Sequence, residues 1–212
     1  CLMANDDDPR GLIPLEALGG GRPRGHYYRV ATATDLFRGC PVTLLASGYV
    51  DAASATLMVP ILGVAWGFAG VLKRGLATND PFLDVSDLTP PTPSSDTGDR
   101  WVYVVDDPEQ EFLVQEDTGG TALTLAEAGA ACDLIYRGAT AIAVSGSLDN
   151  GWASLELDRS GVVTTTAAPV QVIRLHDTIN TDGTENAVGN FGKWVIRIVH
   201  HQRRGGAVSV VV

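Results

Sequence analysis

Short runs in which apolar and polar residues alternate recur along the chain from residue 26 onwards. The alternation is clearest in residues 111–116, 153–158 and 170–175, and residues 193–200 form the most distinct late run. Gly, Pro, Asp and Ser, which favour turns, separate these runs. Alternation with a period of two places successive side chains on opposite faces of a strand. The pattern therefore predicts an all-β fold with a β-barrel or β-sandwich core.

The earlier part of this region follows the same rule with more aromatic and branched residues. Strands are predicted at 26–30, 41–45, 55–59 and 61–68. The longest apolar run, residues 58–72, is interrupted by Pro and Gly and is shorter than the ~20 residues that a membrane helix needs. This run predicts two buried strands and a turn, and we expect no membrane partner.

Two predictions in the second half concern the pairing of neighbouring segments. Residues 101–105 and 111–116 are expected to form a hairpin, because Asp106-Asp107-Pro108 lies between them and is typical of a turn. The Ala-rich segment 125–132 predicts one short helix, since Ala has the highest helix propensity.

The predicted core is flanked by two terminal segments and interrupted by a long loop. Residues 1–25 are too rich in Gly and Pro for a helix, which predicts an extended N-terminal arm that docks on something else. The Pro-rich residues 78–100 form either a linker between two domains or an insertion in one β domain. The β-rich domain then spans 26–202, and residues 203–212 form a final strand or a tail that adds to a neighbour's sheet.

These flanking segments supply the residues that we expect to contact other subunits. Their apolar side chains can enter grooves, their prolines lose little entropy on docking, and their arginines form local basic clusters. The predicted contact residues are Leu12, Ile13, Leu15, Arg22, Arg24, Pro90, Pro91, Arg203 and Arg204.

The charge balance narrows the class of partner. The 212 residues include 15 Lys and Arg against 25 Asp and Glu, which gives a net charge of −10. Because nucleic-acid phosphates are bound by clustered Lys and Arg, we expect no nucleic-acid partner. Charged residues make up only 19% of the chain, which is low for a freely soluble monomer and favours surface hidden against partners.

The candidate catalytic patterns are all incomplete. Asp106, Asp107 and Asp117 could approach each other across the predicted hairpin, as the paired carboxylates of glycosidases do, but no other part of such a site is present. Ser145 lacks the flanking glycines of a nucleophile elbow. Residues 19–21 are three glycines without the lysine of a phosphate-binding loop. We therefore predict that the chain is not an enzyme and needs no cofactor.

The histidines and the polar loop 180–186 give no metal-ligand spacing. His26, His176, His200 and His201 are predicted at the surface or at strand edges. The loop predicts an ordinary turn, with a structural calcium ion at Asp182 or Glu185 as the alternative.

The cysteines have no disulfide or zinc spacing. We expect Cys40 and Cys132 to be buried free thiols of a protein made in a reducing cytoplasm.

Three segments carry patterns beyond strand periodicity. Residues 26–42 are an aromatic strand that leads to Phe37-Arg38-Gly39-Cys40-Pro41-Val42, similar to a φxGDPV turn with Cys40 replacing the acid. Residues 101–117 are similar to the pattern YVxVADDPxxxFxxQED, and residues 195–202 to a terminal VxIxxHQ strand. In this order, the segments resemble the decoration proteins of tailed-bacteriophage capsids, also called cement or auxiliary head proteins.

The resemblance covers most of residues 26–202 and implies a β-rich structural protein on the outer surface of a capsid shell. It implies the major capsid protein as partner, assembly as a homotrimer, synthesis in the host bacterial cytoplasm and a final location on the virion exterior. It transfers no catalytic residues. The Pro-rich loop and the C-terminal tail depart from the family pattern.

Two other functions remain open. The chain could be another virion component, such as a head-fibre base, a neck protein or a tail protein. A carbohydrate-binding β module would need an exposed platform of Trp101, Trp152 and Trp194, which we instead predict in the core.

Overall fold

The computed structural model describes residues 5–16, 21–31, 35–53, 60–69, 82–83, 101–137, 144–147, 149–163, 168–181 and 183–204. Within these residues the chain forms β-strands and one short 3-10 helix, which confirms the predicted all-β class. The strands are β1 (Ile13–Pro14), β2 (Gly25–Arg29), β3 (Leu36–Phe37), β4 (Pro41–Leu44), β5 (Val50–Ala52), β6 (Gly63–Ala69), β7 (Phe82–Leu83), β8 (Trp101–Val105), β9 (Glu111–Gln115), β10 (Ala131–Tyr136), β11 (Leu155–Val163), β12 (Val170–Leu175) and β13 (Lys193–Ile198). The described part of the chain contains no helix of the length and apolarity that a bilayer crossing requires.

Two antiparallel sheets make up most of the fold. The larger sheet has six strands in the order β1-β9-β13-β12-β10-β11, and the second has five in the order β2-β8-β6-β4-β5. A two-stranded ribbon pairs β3 with β7. Most buried apolar side chains of the two large sheets belong to one core cluster, and their removal from water is the main favourable term of folding.

Alternating burial explains why the strand predictions succeed. In β12, Val170 and Val172 are buried and Gln171 between them is half-exposed. The core-facing residues of β8 follow the same period. Cys40 and Cys132 are both free and buried, as predicted.

The predicted hairpin between 101–105 and 111–116 is wrong. Strand β8 pairs with β2 and β6 in the five-stranded sheet, whereas β9 pairs with β1 and β13 in the six-stranded sheet. Residues 106–110 therefore carry the chain from one sheet to the other. The alternation of residues identifies a strand but not its partner, so sequence proximity alone suggested the wrong pairing.

The predicted helix at 125–132 is also wrong in its extent. Only Leu125–Glu127 form a 3-10 helix, which a capping box between Thr124 and Glu127 begins. Gly129 then takes a positive φ of 95°, and Cys132 lies in β10. Pairing of β10 with β11 and β12 outweighs the helix propensity of the alanines.

Residues 5–16, here called the N-terminal strap, contain the short strand β1 and lie against their own chain. Strand β1 forms the edge of the six-stranded sheet, and Leu12 is fully buried in the core. Leu12 therefore has no exposed surface to offer a neighbour and is removed from the predicted contact set. Gly11 and Gly39 permit this docking, because a Cβ on Gly11 would lie 2.5 Å from the Gly39 carbonyl oxygen.

The remaining predictions for the flanking segments differ in outcome. Arg22 and Arg24 are exposed, and Ile13 and Leu15 are half-buried. Pro90, Pro91, the strand predicted at 55–59 and residues 205–212 lie outside the described residues. Of the run 58–72, the described residues 60–69 contain a single strand, β6.

Candidate functional site

The first polar centre surrounds the carboxylate of Asp106, in the segment that joins the two sheets. Asp106 is only 2% exposed. The Tyr28 hydroxyl donates to Asp106 Oδ2 at 2.5 Å, and His26 Nδ1 lies 3.0 Å from the same carboxylate. Arg203 Nη1 lies 2.9 Å from Asp106 Oδ2. We call these four residues the Asp106 centre.

The C-terminal segment 200–204 is held to both sheets around this centre. His201 is buried, and its Nδ1 accepts the backbone N–H of Arg203 at 3.0 Å. Burial and the nearby Arg203 and Arg204 charges lower the pKa of His201 to about 4. The prediction that all four histidines lie at the surface or at strand edges is therefore wrong for His201, because the segment folds inward.

Two further side chains complete this attachment. Leu44 N–H donates to Gln202 Oε1 at 2.7 Å, and Gln202 Nε2 donates to the Leu44 carbonyl oxygen at 3.0 Å, so the amide pairs with β4 as a strand would. Arg204 contacts the carboxylate of Glu109. Arg203 and Arg204, both predicted contact residues, thus have partners in their own chain.

The second polar centre lies in the six-stranded sheet around Glu116, which is fully buried. Trp194 Nε1 donates to Glu116 Oε2 at 2.7 Å, and Arg159 Nη1 donates to Oε1 at 3.3 Å. Burial raises the pKa of Glu116 to about 7, although both partners act in the opposite direction. Glu116, Arg159 and Trp194 form what we call the Glu116 centre.

The N-terminal strap is held by polar contacts close to the Glu116 centre. Gln115 links the strap to the sheet. Its Oε1 accepts the Asp8 N–H at 2.8 Å, and its Nε2 donates to Glu156 at 2.9 Å. Arg137 bridges Glu156 and Asp7 with ion pairs of 2.9 and 2.6 Å. These contacts fix the position of the strap along the sheet edge.

A surface groove of about 210 Å³ lies between the strap and the loop that follows β12. Ile13, Leu113 and Ile179 provide apolar lining, and Asp6 and Lys193 are among the polar groups around it. Ile179 is 68% exposed. Ile13 was predicted to contact a partner, whereas Ile179 was missed; its signal was a large apolar residue alone in a polar stretch.

Beside the groove, two arginines lie against two tryptophans that contact each other, and we call Arg10, Trp152, Arg38 and Trp66 the Arg–Trp stack. The Arg38 guanidinium lies 5.2 Å from the Trp152 ring and 5.9 Å from the Trp66 ring. The two indoles meet edge to face at 5.5 Å, and Arg10 lies 6.0 Å from the Trp152 ring. Because Arg10 also lines the groove, the groove and the stack form one continuous surface.

The other candidate sites do not assemble. Asp106 and Asp117 belong to different centres, because Asp117 accepts the Arg159 backbone N–H at 3.2 Å in the other sheet. Trp194 is fully buried, as predicted, but Trp101 and Trp152 are half-buried rather than in the core. The three tryptophans therefore cannot form one exposed platform.

A structural calcium ion at Asp182 or Glu185 was the alternative prediction for the loop 180–186. Asp182 lies outside the described residues, and among those that are described no three His, Cys, Asp or Glu side chains gather in a group that could hold a metal ion.

No family model matches the chain, and neither the curated proteins nor the solved structures contain a significant match.

Proposed function

We propose that this chain is a structural protein of a tailed-phage virion that binds the outer surface of the capsid and stabilises the lattice of the major capsid protein. In this role the chain works by binding and has no catalytic task. A homotrimer on the shell is part of the proposal.

The observation that carries the proposal is the way in which the three resembling segments pair with each other. The middle segment spans β8 and β9; β8 pairs with β2 of the first segment, and β9 pairs with β13 of the third. His26, Tyr28 and Asp106 from the first two segments then meet Arg203, which directly follows the third. The resemblance therefore rests on residues that form one connected unit.

The surface chemistry supports a binding role. The groove and the Arg–Trp stack place apolar and aromatic side chains at a partly exposed surface, which is the composition found at interface cores. Many weak contacts of this kind, repeated around a shell, give strong overall attachment.

The test is to add the purified chain to undecorated shells of the major capsid protein from the same phage. We expect stoichiometric co-sedimentation and added density on the outer surface by electron microscopy. Attachment at the neck, the tail or a fibre would instead assign the chain to another virion component. A chain that is absent from purified particles and does not bind shells would contradict the proposal.

Ile179→Ser tests whether the groove takes part. Loss of the exposed apolar side chain should weaken binding to shells about tenfold, as for a well-placed interface residue. Leu125→Ser is the matched control, because Leu125 is 66% exposed on the 3-10 helix, away from the groove lining. Equal binding by the two variants would exclude the groove from the contact.

A further inference from the structure

Arg38 is held in place by aromatic rings and has no anionic partner in the described part of the chain. Its guanidinium lies over both Trp66 and Trp152. Its Nε is buried and has no hydrogen-bond acceptor. Its backbone is fixed as well, since Arg38 N–H donates to Gly151 and its carbonyl oxygen accepts from Ala153, both at 2.9 Å. The side chain is thus ordered before any partner arrives.

This state is unusual for the arginines of so acidic a chain. Of the five other described arginines that are buried or half-buried, four lie against a carboxylate: Arg137, Arg159, Arg197 and Arg204. The fifth, Arg29, lies over the Trp101 ring at 5.2 Å. A guanidinium carries a fork of donors that fits a carboxylate with two parallel hydrogen bonds. In the part of the chain that the structure describes, Arg38 has no carboxylate in this fork, although acids outnumber bases by 25 to 15 in the full sequence.

We propose that Arg38 is a binding residue for a carboxylate of a partner protein, and that the Arg–Trp stack is the part of the contact surface that recognises it. This inference rests on the proposed function, so the partner group is an Asp or Glu side chain on the capsid shell. The indoles order the guanidinium and remove part of its hydration, so less conformational freedom is lost when the carboxylate binds. The apolar groove beside the stack receives the neighbouring residues of the same partner.

A carboxylate partner is favoured by the charges already present. Arg10, whose guanidinium also lies over the Trp152 ring, is paired with Asp8 at 2.5 Å. Among the described residues, one cation of the stack is therefore neutralised and the other is not. A single negative group completes the pairing, whereas a polyanion such as nucleic acid would meet the chain's net charge of −10.

The affinity test compares Arg38→Gln with Arg174→Gln in titrations of undecorated shells. We expect Arg38→Gln to weaken binding at least about tenfold, because the shell carboxylate loses its partner at the interface. Arg38→Lys keeps the charge but not the fork and should also bind more weakly than wild type. Arg174→Gln removes the same charge from an exposed pair with Glu111 and should bind as wild type does. Thermal melting of each variant separates lost binding from lost folding.

A second measurement does not depend on shells. In the isolated chain labelled with ¹⁵N, titration with benzoate should shift the Arg38 Nε resonance at millimolar concentrations, and the Arg174 resonance much less. Failure of the wild-type chain to bind shells would overturn the proposed function, whereas the benzoate titration still decides the Arg38 site. Wild-type binding that Arg38→Gln leaves unchanged, or an Arg38 resonance that does not respond, would overturn the present inference alone.

Discussion

The Glu116 centre and the segment beside the Asp106 centre each contain a buried titratable group, Glu116 and His201, and these two groups respond to acid in opposite directions. Burial raises the pKa of Glu116 to about 7. The same effect, with help from Arg203 and Arg204, lowers the pKa of His201 to about 4. Burial disfavours the charged form of either group, so a carboxyl group and an imidazole move oppositely. Burial therefore gives two opposite pH dependences in one small fold.

The direction of each pH dependence follows from whether the folded or the unfolded state binds the proton more tightly. Folded Glu116 holds its proton up to about pH 7 against an ordinary value of 4.5, so its contribution to the free energy of unfolding falls as pH rises between these values. Folded His201 stays neutral down to about pH 4 against an ordinary 6.5, so its contribution is complete above pH 6.5 and is lost as pH falls. Between pH 4.5 and 6.5 the two effects oppose each other.

The largest effect is expected from breaking the Glu116 centre. Arg159→Leu leaves the buried Glu116 carboxylate without its cation, which should lower the free energy of unfolding by about 3–5 kcal/mol at pH 8. The loss should shrink at pH 6, where Glu116 is protonated. Urea denaturation at both pH values measures it. The double variant with Glu116→Gln should recover part of the loss; a double variant as unstable as Arg159→Leu would contradict the assignment.

The next effect isolates the titration of Glu116. Glu116→Gln cannot ionise, so its stability should lack the decline of up to about 3 kcal/mol that Glu116 causes between pH 4.5 and 7. Denaturation curves of wild type and variant across this range give the difference. Two parallel pH profiles would mean that Glu116 does not titrate there.

A complementary variant removes the opposing group. In the wild-type chain, His201 should lower the free energy of unfolding by at most about 3 kcal/mol as pH falls from 6.5 to 4, and His201→Asn should abolish this loss. The imidazole signals of His201, followed by NMR, should stay those of the neutral ring at pH 5. Protonation of His201 near pH 6.5 in the folded chain would contradict its burial.

The smallest effect sharpens the description of the Asp106 centre. Tyr28→Phe removes the hydrogen bond that Tyr28 donates to Asp106 and the one that it accepts from Arg203, and should cost about 1–2 kcal/mol. Tyr27→Phe is the matched control, because Tyr27 is 57% exposed and its ring packs edge to face on Tyr103. Thermal unfolding of both variants provides the measurement, and equal melting temperatures would remove Tyr28 from the centre.

The sequence by itself determined the all-β class, the positions of most described strands and the burial of Cys40 and Cys132. These features follow from local alternation and residue type, and they are the same whichever strand lies alongside. The sequence also predicted Ile13 as a contact residue, which stays a prediction, and it assigned Arg38 only to a turn.

Only the tertiary structure decided which strands pair and which side chains meet. It separated β8 from β9, buried Leu12 and His201, and brought Arg38 against two tryptophans. The physical reason is that pairing and burial depend on contacts between residues distant along the chain. Alternation along a single strand is the same whichever partner completes the sheet.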